Sequence, residues 1–407
     1  MCAPVRTTVR PLNFALALAL CGVFAGCGKT LTVEQGAGPI ASVGPQGAGG
    51  LVTKNTSRLG GSGAAVDAAA VALAVYPGRT LPGRPRTVVF VDAGNWPAAL
   101  AASTLAGAPL HAPLLYTEGA TLPQASATAL STMSPTGAPA LSGAQTLSVG
   151  TAAPSGYRAS EISPREPAAL AVAVERLAIS LRRATPSKLI VTAAEAPPAM
   201  TAPAAGLSAQ EGAPILFVER DAIPQATLNE LARLKGASIY VIGPSSIVSE
   251  TVVAQLGRFG PVTRISGNDP ASNAVAVARF TDGSFGWGVE EAGHGFVFAN
   301  GSRPLDGPAA APLAASGDYA PLLLLDSSGG IPRAVDEYVS DLQPGYPSSG
   351  PVHGVYNHGW LIGDEHAVPL ATQAKLDAML EISARRAGRE PTAPELETST
   401  PTTPTGP

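Results

Sequence analysis

Three arginines recur along the chain at intervals of 100 and 106 positions, at Arg58, Arg158 and Arg264. A guanidinium presents a planar fork of donors that matches phosphate or carboxylate oxygens. Three such forks at equivalent places in a repeated fold would make a multivalent site for an anion. An arginine at a turn also commonly caps backbone carbonyls or pairs with an acid such as Asp67 or Asp269. We therefore treat the three arginines as candidate anion contacts, with a structural role as the alternative.

Most of the histidines lie late in the chain, together with two acids: His294, His353, His358, His366, Asp364 and Glu365. The four-residue gap between His353 and His358 differs from the HExxH spacing that places two metal ligands on one helix face. No nucleophile elbow of the G-x-S-x-G kind occurs. The glycine-rich stretch 283–288 follows a predicted helix and not a strand, so it is not a dinucleotide fingerprint. The sequence predicts no metal, no cofactor and no catalytic residue.

The amino terminus has the pattern of an export signal. Arg6 and Arg10 precede an apolar run over 12–25, which is shorter than the roughly 20 residues of a membrane-spanning helix. The four residues 24–27, Phe-Ala-Gly-Cys, resemble the lipobox of bacterial lipoproteins, in which the cysteine is lipidated after cleavage. We expect residues 1–27 to be a signal peptide and Cys27 to carry the lipid. An ordinary signal peptide cut nearby is the alternative.

The composition argues against a nucleic-acid partner. Lys and Arg number 26 against 30 Asp and Glu, and charged residues make up 14% of the chain, against about 25% in typical soluble domains. Such a balance leaves no basic field that could collect phosphates along its length.

Two segments lack a sustained apolar pattern. Residues 28–52 are rich in glycine, which predicts a flexible linker. Residues 388–407 are dominated by Pro, Thr and Glu and are expected to be disordered. The intervening region is where a core can form.

That region contains an internal repeat. Four landmarks follow one another three times: the arginine, an apolar β-rich run about thirty positions later, a Pro-started apolar run, and a proline-containing helix start. The helix starts lie at Pro123, Pro224 and Pro332, and proline suits a first helical turn because its missing N–H would have no partner there. The predicted units are residues 53–150, 151–257 and 258–387.

Short apolar runs that alternate with alanine-rich helical stretches predict an α/β fold with mostly parallel sheets. Third strands are expected at 238–242 and 360–362, each followed by a helix, over 248–256 and 369–382. In the first unit only eight positions separate Gly150 from Arg158, so its final helix is expected to be missing.

Residues 214–269 carry the features of a known family. Their proline-started apolar strand, proline-started helix, Tyr-Val-Ile-Gly turn and Arg-Ile-Ser-Gly-x-Asp segment resemble the cell-wall-binding repeat 2 domains. A weaker resemblance covers 53–387. It implies three α/β modules around a pseudo-threefold axis, which attach noncovalently to an anionic polymer or peptidoglycan-associated glycan of the cell wall.

The chain departs from that family at the positions expected to meet the ligand. Where the family has Asp-Arg-Tyr-x-Thr, this chain has Asp-Pro-Ala-Ser-Asn at 269–273 and Gly-Ala-Ala-Val-Asp at 63–67. The family's Asp-Ala-Leu after the first strand keeps only its acid in the third unit, at Asp306. The full set of candidate polymer contacts is therefore Arg58, Arg158, Arg264, Asp67, Asn273 and Asp306.

These observations favour a non-enzymatic, lipid-anchored, extracytoplasmic protein that binds a wall polymer or an envelope partner. The second hypothesis is an extracytoplasmic solute-binding protein, because α/β sheets hold small ligands at the carboxyl ends of their strands. An envelope hydrolase that uses the late histidines is the third.

Overall fold

The structure is a computed structural model and describes residues 40–43, 49–316, 320–346 and 355–384. The predicted signal peptide over 1–27, the lipid site Cys27 and the predicted tail over 388–407 lie outside the described residues, as does His353. No helix in the described ranges has the length and apolar character needed to cross a membrane.

The strands of the described residues are short. In chain order they are β1 (Ile40–Val43), β2 (Gly49–Val52), β3 (Thr56–Leu59), β4 (Val88–Asp92), β5 (Leu114–Thr117), β6 (Thr146–Val149), β7 (Ala159–Ile162), β8 (Lys188–Ala193), β9 (Ile215–Val218), β10 (Ser238–Ile242), β11 (Val262–Ile265), β12 (Gly295–Asn300), β13 (Leu322–Leu325), β14 (Gly345–Tyr346), β15 (His358–Ile362) and β16 (Ser383–Ala384).

Helices alternate with these strands. They are α1 (Ala64–Val75), α2 (Trp96–Ala102), α3 (Gln124–Met133), α4 (Pro167–Arg182), α5 (Pro198–Thr201), α6 (Pro203–Glu211), α7 (Gln225–Arg233), α8 (Glu250–Leu256), α9 (Pro270–Arg279), α10 (Asp306–Ala314), α11 (Arg333–Asp341) and α12 (Leu370–Leu380), with short 3₁₀ turns at Ser103–Ala106 and Pro139–Leu141.

Three sheets share one strand order, and all of their four-strand cores are parallel. The first sheet runs β5-β4-β6-β7, the second β9-β8-β10-β11, and the third β13-β12-β15-β3. The strands β4, β8 and β12 lie inside their sheets with helices on both faces, so almost every residue in them is buried. The α/β class and the mostly parallel sheets predicted from the sequence are confirmed.

The fourth strand of each sheet comes from the arginine-bearing segment that opens a predicted unit. β7 completes the first sheet, β11 completes the second, and β3, from the first unit, completes the third. β3 pairs with β15 in the register Thr56↔Gly359 to Leu59↔Ile362. Each sheet therefore depends on two predicted units, and the unit boundaries stay a prediction.

Part of the predicted flexible linker forms strands. β1 and β2 pair antiparallel, from Ile40↔Val52 to Val43↔Gly49, and β2 then pairs with β3 at the margin of the third sheet. The open margin of β3 offers unpaired backbone groups, which explains why a neighbouring segment with β-branched residues pairs there.

The landmark prolines lie one position earlier than expected. Pro123, Pro224 and Pro332 are the residues that precede the first helical residue, each with an extended backbone (ψ between 145° and 152°). The first unit has no helix between β6 and β7, as the short spacing predicted.

The helices that follow the first strands meet one another through alanines. Ala106 follows α2, while Ala209 lies on α6 and Ala311 on α10, and these three buried residues contact as one cluster. A Cβ on Gly107 would lie 2.1 Å from the Ala209 carbonyl oxygen. Small residues are needed here because the backbones approach so closely.

Candidate functional site

Arg58 is buried, with 3% of its surface exposed, and its guanidinium donates to protein acceptors. Nη1 donates to the carbonyls of Gly363 (3.1 Å) and Asp364 (2.7 Å), and Nη2 donates to that of Val368 (2.7 Å). Nε and Nη2 both donate to Oε1 of Gln373, at 3.1 and 2.8 Å. The side chain therefore ties β3 to the turn and helix that follow β15.

Arg264 repeats this arrangement in the second sheet. Its Nη1 donates to the Gly243 carbonyl (2.7 Å) and its Nη2 to the Val248 carbonyl (2.8 Å), while Glu250 lies 3.0 Å from Nη2. Gly243, like Gly363 in the third sheet, has a positive φ, of 112° and 104° respectively. Such a turn favours glycine and aims its carbonyl at the arginine. The contacts of both arginines match the structural alternative, and their role in polymer binding stays a prediction.

Arg158 does not occupy the equivalent place. It precedes β7 and is exposed, and among the described residues its guanidinium makes a single contact, from Nη1 to the Ser142 carbonyl at 3.5 Å. In the strand register, the residue at the equivalent position of β7 is Glu161. It lies opposite Ser148 of β6, just as Arg58 of β3 lies opposite Leu361 of β15. The expectation that the three arginines superpose is therefore wrong for Arg158. Arg158 lies three residues before the position of β7 that corresponds to Arg58 and Arg264.

Two of the candidate contacts, Asp67 and Asn273, lie in the helices that follow the arginine-bearing strands. Asp67 on α1 is fully buried, and its Oδ1 accepts the Gly61 N–H at 2.7 Å. Asn273 on α9 is its counterpart: Oδ1 accepts the Gly267 N–H at 2.8 Å, and Nδ2 donates to the Met200 carbonyl at 2.6 Å. Each side chain fixes the loop between an arginine-bearing strand and the next helix.

Asp306 completes a buried acidic cluster. Asp67 pairs with the guanidinium of Arg303, whose Nε lies 3.4 Å from Oδ2 of Asp306 and whose Nη1 lies 3.6 Å from Oδ1 of Asp364. Asp306 is fully buried, and no side-chain hydrogen bond forms to either oxygen among the described residues. Three carboxyl groups thus share one guanidinium.

Burial raises the pKa of two of these acids. Desolvation raises the pKa of Asp67 to about 6, although Arg303 and the Gly61 N–H oppose the rise. Desolvation and then the charge of Asp67 raise the pKa of Asp306 well above its ordinary value. Asp364 is also desolvated, but the Ala367 N–H and Arg303 outweigh this effect and lower its pKa. The cluster therefore holds a proton more tightly than isolated carboxyls would.

A polar cleft of about 250 Å³ adjoins the cluster. Its walls include Asn300 at the end of β12, Ser327 after β13, and Asp364 after β15, together with Ser302 and Arg303. The cleft therefore lies at the carboxyl ends of parallel strands, where open α/β sheets hold ligands. Hydroxyl, amide and guanidinium groups there can hydrogen-bond a small polar molecule.

The late histidines that the structure describes lie at opposite ends of the third sheet. His358 starts β15, with Nε2 3.1 Å from the Ser57 hydroxyl, and its N–H donates to the His294 carbonyl. His366 lies beyond the other end of β15, is 95% exposed, and approaches Asp364 at 3.5 Å. Within the described ranges no group of three His, Cys, Asp or Glu side chains could hold a metal ion.

Sequence reasoning missed Arg303 and Gln373. Arg303 lies in the loop after the first strand of the third sheet, three residues before Asp306, and that i, i+3 spacing was the one available signal. Gln373 supplies the side-chain acceptor for Arg58, 315 residues away in the chain, and nothing in the sequence marks it.

Part of the chain matches a known family model. Residues 264–373 match the family model of Cell wall binding domain 2 (CWB2). The match runs from the arginine near the end of β11 to the glutamine of α12, so it includes the strands β12, β13 and β15 of the third sheet.

Solved structures share the fold over most of the chain. Cwp6 from Clostridium difficile superposes with a TM-score of 0.66 at 16% identity, over 85% of this chain and 51% of that chain. Cwp8 from Clostridium difficile gives a TM-score of 0.61 at 17% identity, over 81% of this chain and 52% of that chain. This chain thus spans about half the length of each. No curated protein matches it.

Proposed function

We propose that the chain is a non-enzymatic, extracytoplasmic protein that binds an anionic polymer of the cell wall. The observation that carries the proposal is the CWB2 match over 264–373. The fold shared with Cwp6 and Cwp8 over more than four fifths of the chain supports it.

We further propose that the domain occurs in three copies around a pseudo-threefold axis. Two observations support this: the three sheets share one strand order, and Arg58 and Arg264 make the same pair of carbonyl contacts. The alanine cluster of the three central helices is where such an axis would pass.

Sedimentation with purified Gram-positive cell walls tests the binding function. The full chain should sediment with intact walls and remain in solution after the anionic polymers have been extracted from them. Equal sedimentation with extracted walls would show that another wall component is bound, and no sedimentation with either would refute the proposal.

Lipid attachment through Cys27 is part of the proposed localisation. It rests on the lipobox-like sequence and on Cys27 being the cysteine that would remain after processing. Cys27→Ala should move the protein from the membrane fraction into the medium, because a diacylated cysteine supplies the two chains that stable anchoring needs. Retention of the variant in membranes would contradict this assignment.

The polar cleft favours one alternative function, that of a solute-binding protein. A cleft of about 250 Å³ suits a small polar metabolite better than a polymer. Thermal unfolding of the full chain in the presence of a metabolite panel tests it. A large upward shift with one compound, abolished by Arg303→Gln, would favour this alternative.

A further inference from the structure

Charge is segregated along the strands of the first sheet. Between Asp67 and Glu161 the acids are Asp92, which ends β4, and Glu118, which follows β5. Both lie where the parallel strands end. The four arginines of the same stretch, at positions 79, 84, 86 and 158, all lie where the strands begin. The amino end of this sheet is therefore cationic and has no acid of its own.

Three of these arginines are exposed and have no ion-pair partner among the described residues: Arg79, Arg86 and Arg158. The fourth, Arg84, is half-buried and donates from Nε to the Ser134 carbonyl at 2.7 Å, where α3 ends. Its role is thus accounted for by the fold. Arg86 precedes β4 and Arg158 precedes β7, with β6 between them, which places their backbones about 10 Å apart.

Exposed cations also lie at the amino end of the second sheet. Arg183 follows α4, Lys235 follows α7 and Arg258 follows α8, so each precedes a strand at the amino end of that sheet. All three are exposed and make no ion pair within the described ranges. Two acids at this end already have partners: Glu211 pairs with Lys188 at 3.6 Å, and Asp282 accepts the Tyr240 hydroxyl.

The two amino ends are contiguous. Arg182 at the end of α4 donates from Nε to the Ala108 carbonyl of the first sheet's loop at 3.0 Å, and from Nη1 to the Gly212 carbonyl of the second. The amino ends of the two sheets, which carry the six exposed cations, therefore adjoin one another. We call this surface the cationic face and define it by Arg79, Arg86, Arg158, Arg183, Lys235 and Arg258.

We propose that the cationic face is the surface on which this chain binds the anionic polymer of the proposed function. This inference rests on that function and assigns it to residues other than the repeated Arg58 and Arg264, whose donors already serve carbonyls. Phosphates or carboxylates along a polymer would meet successive guanidinium and ammonium groups, each releasing counterions. Because the whole chain has a net charge of −4, contact must come from such a local concentration of cations.

A linear polymer fits this face better than a membrane does. Peripheral membrane binding combines cations with a buried apolar surface. Among the exposed large apolar side chains of the described residues, which are Val52, Leu81, Val355, Tyr356 and Leu370, one lies in a loop of the cationic face, namely Leu81.

A simpler explanation is that cations stabilise helix ends. A cation near the carboxyl end of a helix stabilises that helix, and Arg183, Lys235 and Arg258 follow such ends. This explanation predicts a change in stability without a change in binding, so both quantities must be measured.

The test compares two triple variants of equal charge. The first replaces Arg86, Arg158 and Arg183 by glutamine. The matched control replaces Arg165, Arg220 and Arg333 by glutamine, since these are exposed and lie one at the carboxyl end of each sheet. Binding of the full chain to purified walls is measured over a range of salt concentrations, with circular dichroism melting of each variant.

We expect the first variant to lose at least tenfold in wall affinity while the control stays within about twofold of the parent. The slope of log affinity against log salt should shrink by about two in the first variant, at roughly 0.7 per lost contact. If the parent binds walls and the first variant binds equally well, or both variants lose affinity equally, the cationic face is not the contact surface, although the proposed function stands. If the parent binds vesicles of phosphatidylglycerol but not walls, the inferred polymer partner is wrong and the proposed function falls with it.

Discussion

The buried acid Asp67 makes the stability of the protein depend on pH in an uncommon direction. Its pKa in the folded chain is about 6, raised from 3.8 by desolvation. A carboxyl group whose pKa is raised by folding binds more protons in the folded state, so stability falls as pH rises from about 4 through about 6. A shift of about two pKa units corresponds to roughly 3 kcal/mol, at 1.36 kcal/mol per unit.

Asp67→Asn should remove most of the stability that the protein loses as pH rises from about 4 through about 6. Asparagine is uncharged and can accept the Gly61 N–H, as Asn273 accepts that of Gly267 at the corresponding position (2.8 Å). We therefore expect the variant to match the parent near pH 4 and to exceed it above pH 7 by up to about 3 kcal/mol in the free energy of unfolding. Urea unfolding followed by circular dichroism at pH 4.5, 6 and 8 measures this difference.

Asp326→Asn is the matched control. Asp326 is exposed, and the Ser328 hydroxyl and the Gly330 N–H lower its pKa, so its ionised form is favoured in the folded state. This variant should be no more stable than the parent at pH 8. Parallel pH profiles for the parent and Asp67→Asn would refute the reasoning, because they would mean that Asp67 ionises as easily in the folded chain as in the unfolded one.

Three further changes probe the packing. Ala209→Leu should lower the free energy of unfolding in urea by about 1–3 kcal/mol, because the neighbours of Ala209 leave no room for a larger side chain. Ala232→Leu, at an exposed position, should change this free energy little. Arg58→Lys should lower the melting temperature more than Arg264→Lys, since Arg58 is 3% exposed and gives up more carbonyl contacts; equal losses would contradict this. Thr146→Val should raise stability by about 1 kcal/mol, because the buried Thr146 hydroxyl has no partner in the described part of the chain. A lower melting temperature would show that the hydroxyl is bound.

The sequence predicted the fold class because its signals are local. Each landmark proline fixes a backbone angle at the start of a helix, and each apolar run is long enough for one buried strand. The missing helix of the first unit followed from a spacing alone.

The register of β7 could not be read in the same way. Arg158 and Glu161 are three residues apart, and both lie within a stretch that resembles the other arginine-bearing segments. The pairing of β7 with β6, in which Glu161 lies opposite Ser148, decides which of the two residues occupies the position of Arg58.

The candidate site was predicted less completely than the fold. Asp67 and Asp306 were named from a family pattern, but their common partner Arg303 is 236 residues from Asp67 in the chain. Charge pairing at such separation depends on how the sheets pack. A one-dimensional pattern therefore names the acids without revealing that they share one guanidinium.

The pairing of β3 with β15 has a consequence for the order in which the protein folds. Thr56 and Gly359 are adjacent in the third sheet, so this sheet needs nearly the whole chain before it can close. The first and second sheets can form from segments ending at Ile162 and Ile265 while later residues are still being made. Closing so long a loop carries a large entropic cost and slows the final step. Once that step is complete, neither end of the paired region can peel away without breaking contacts with the other, which ties local unfolding at both ends to one barrier.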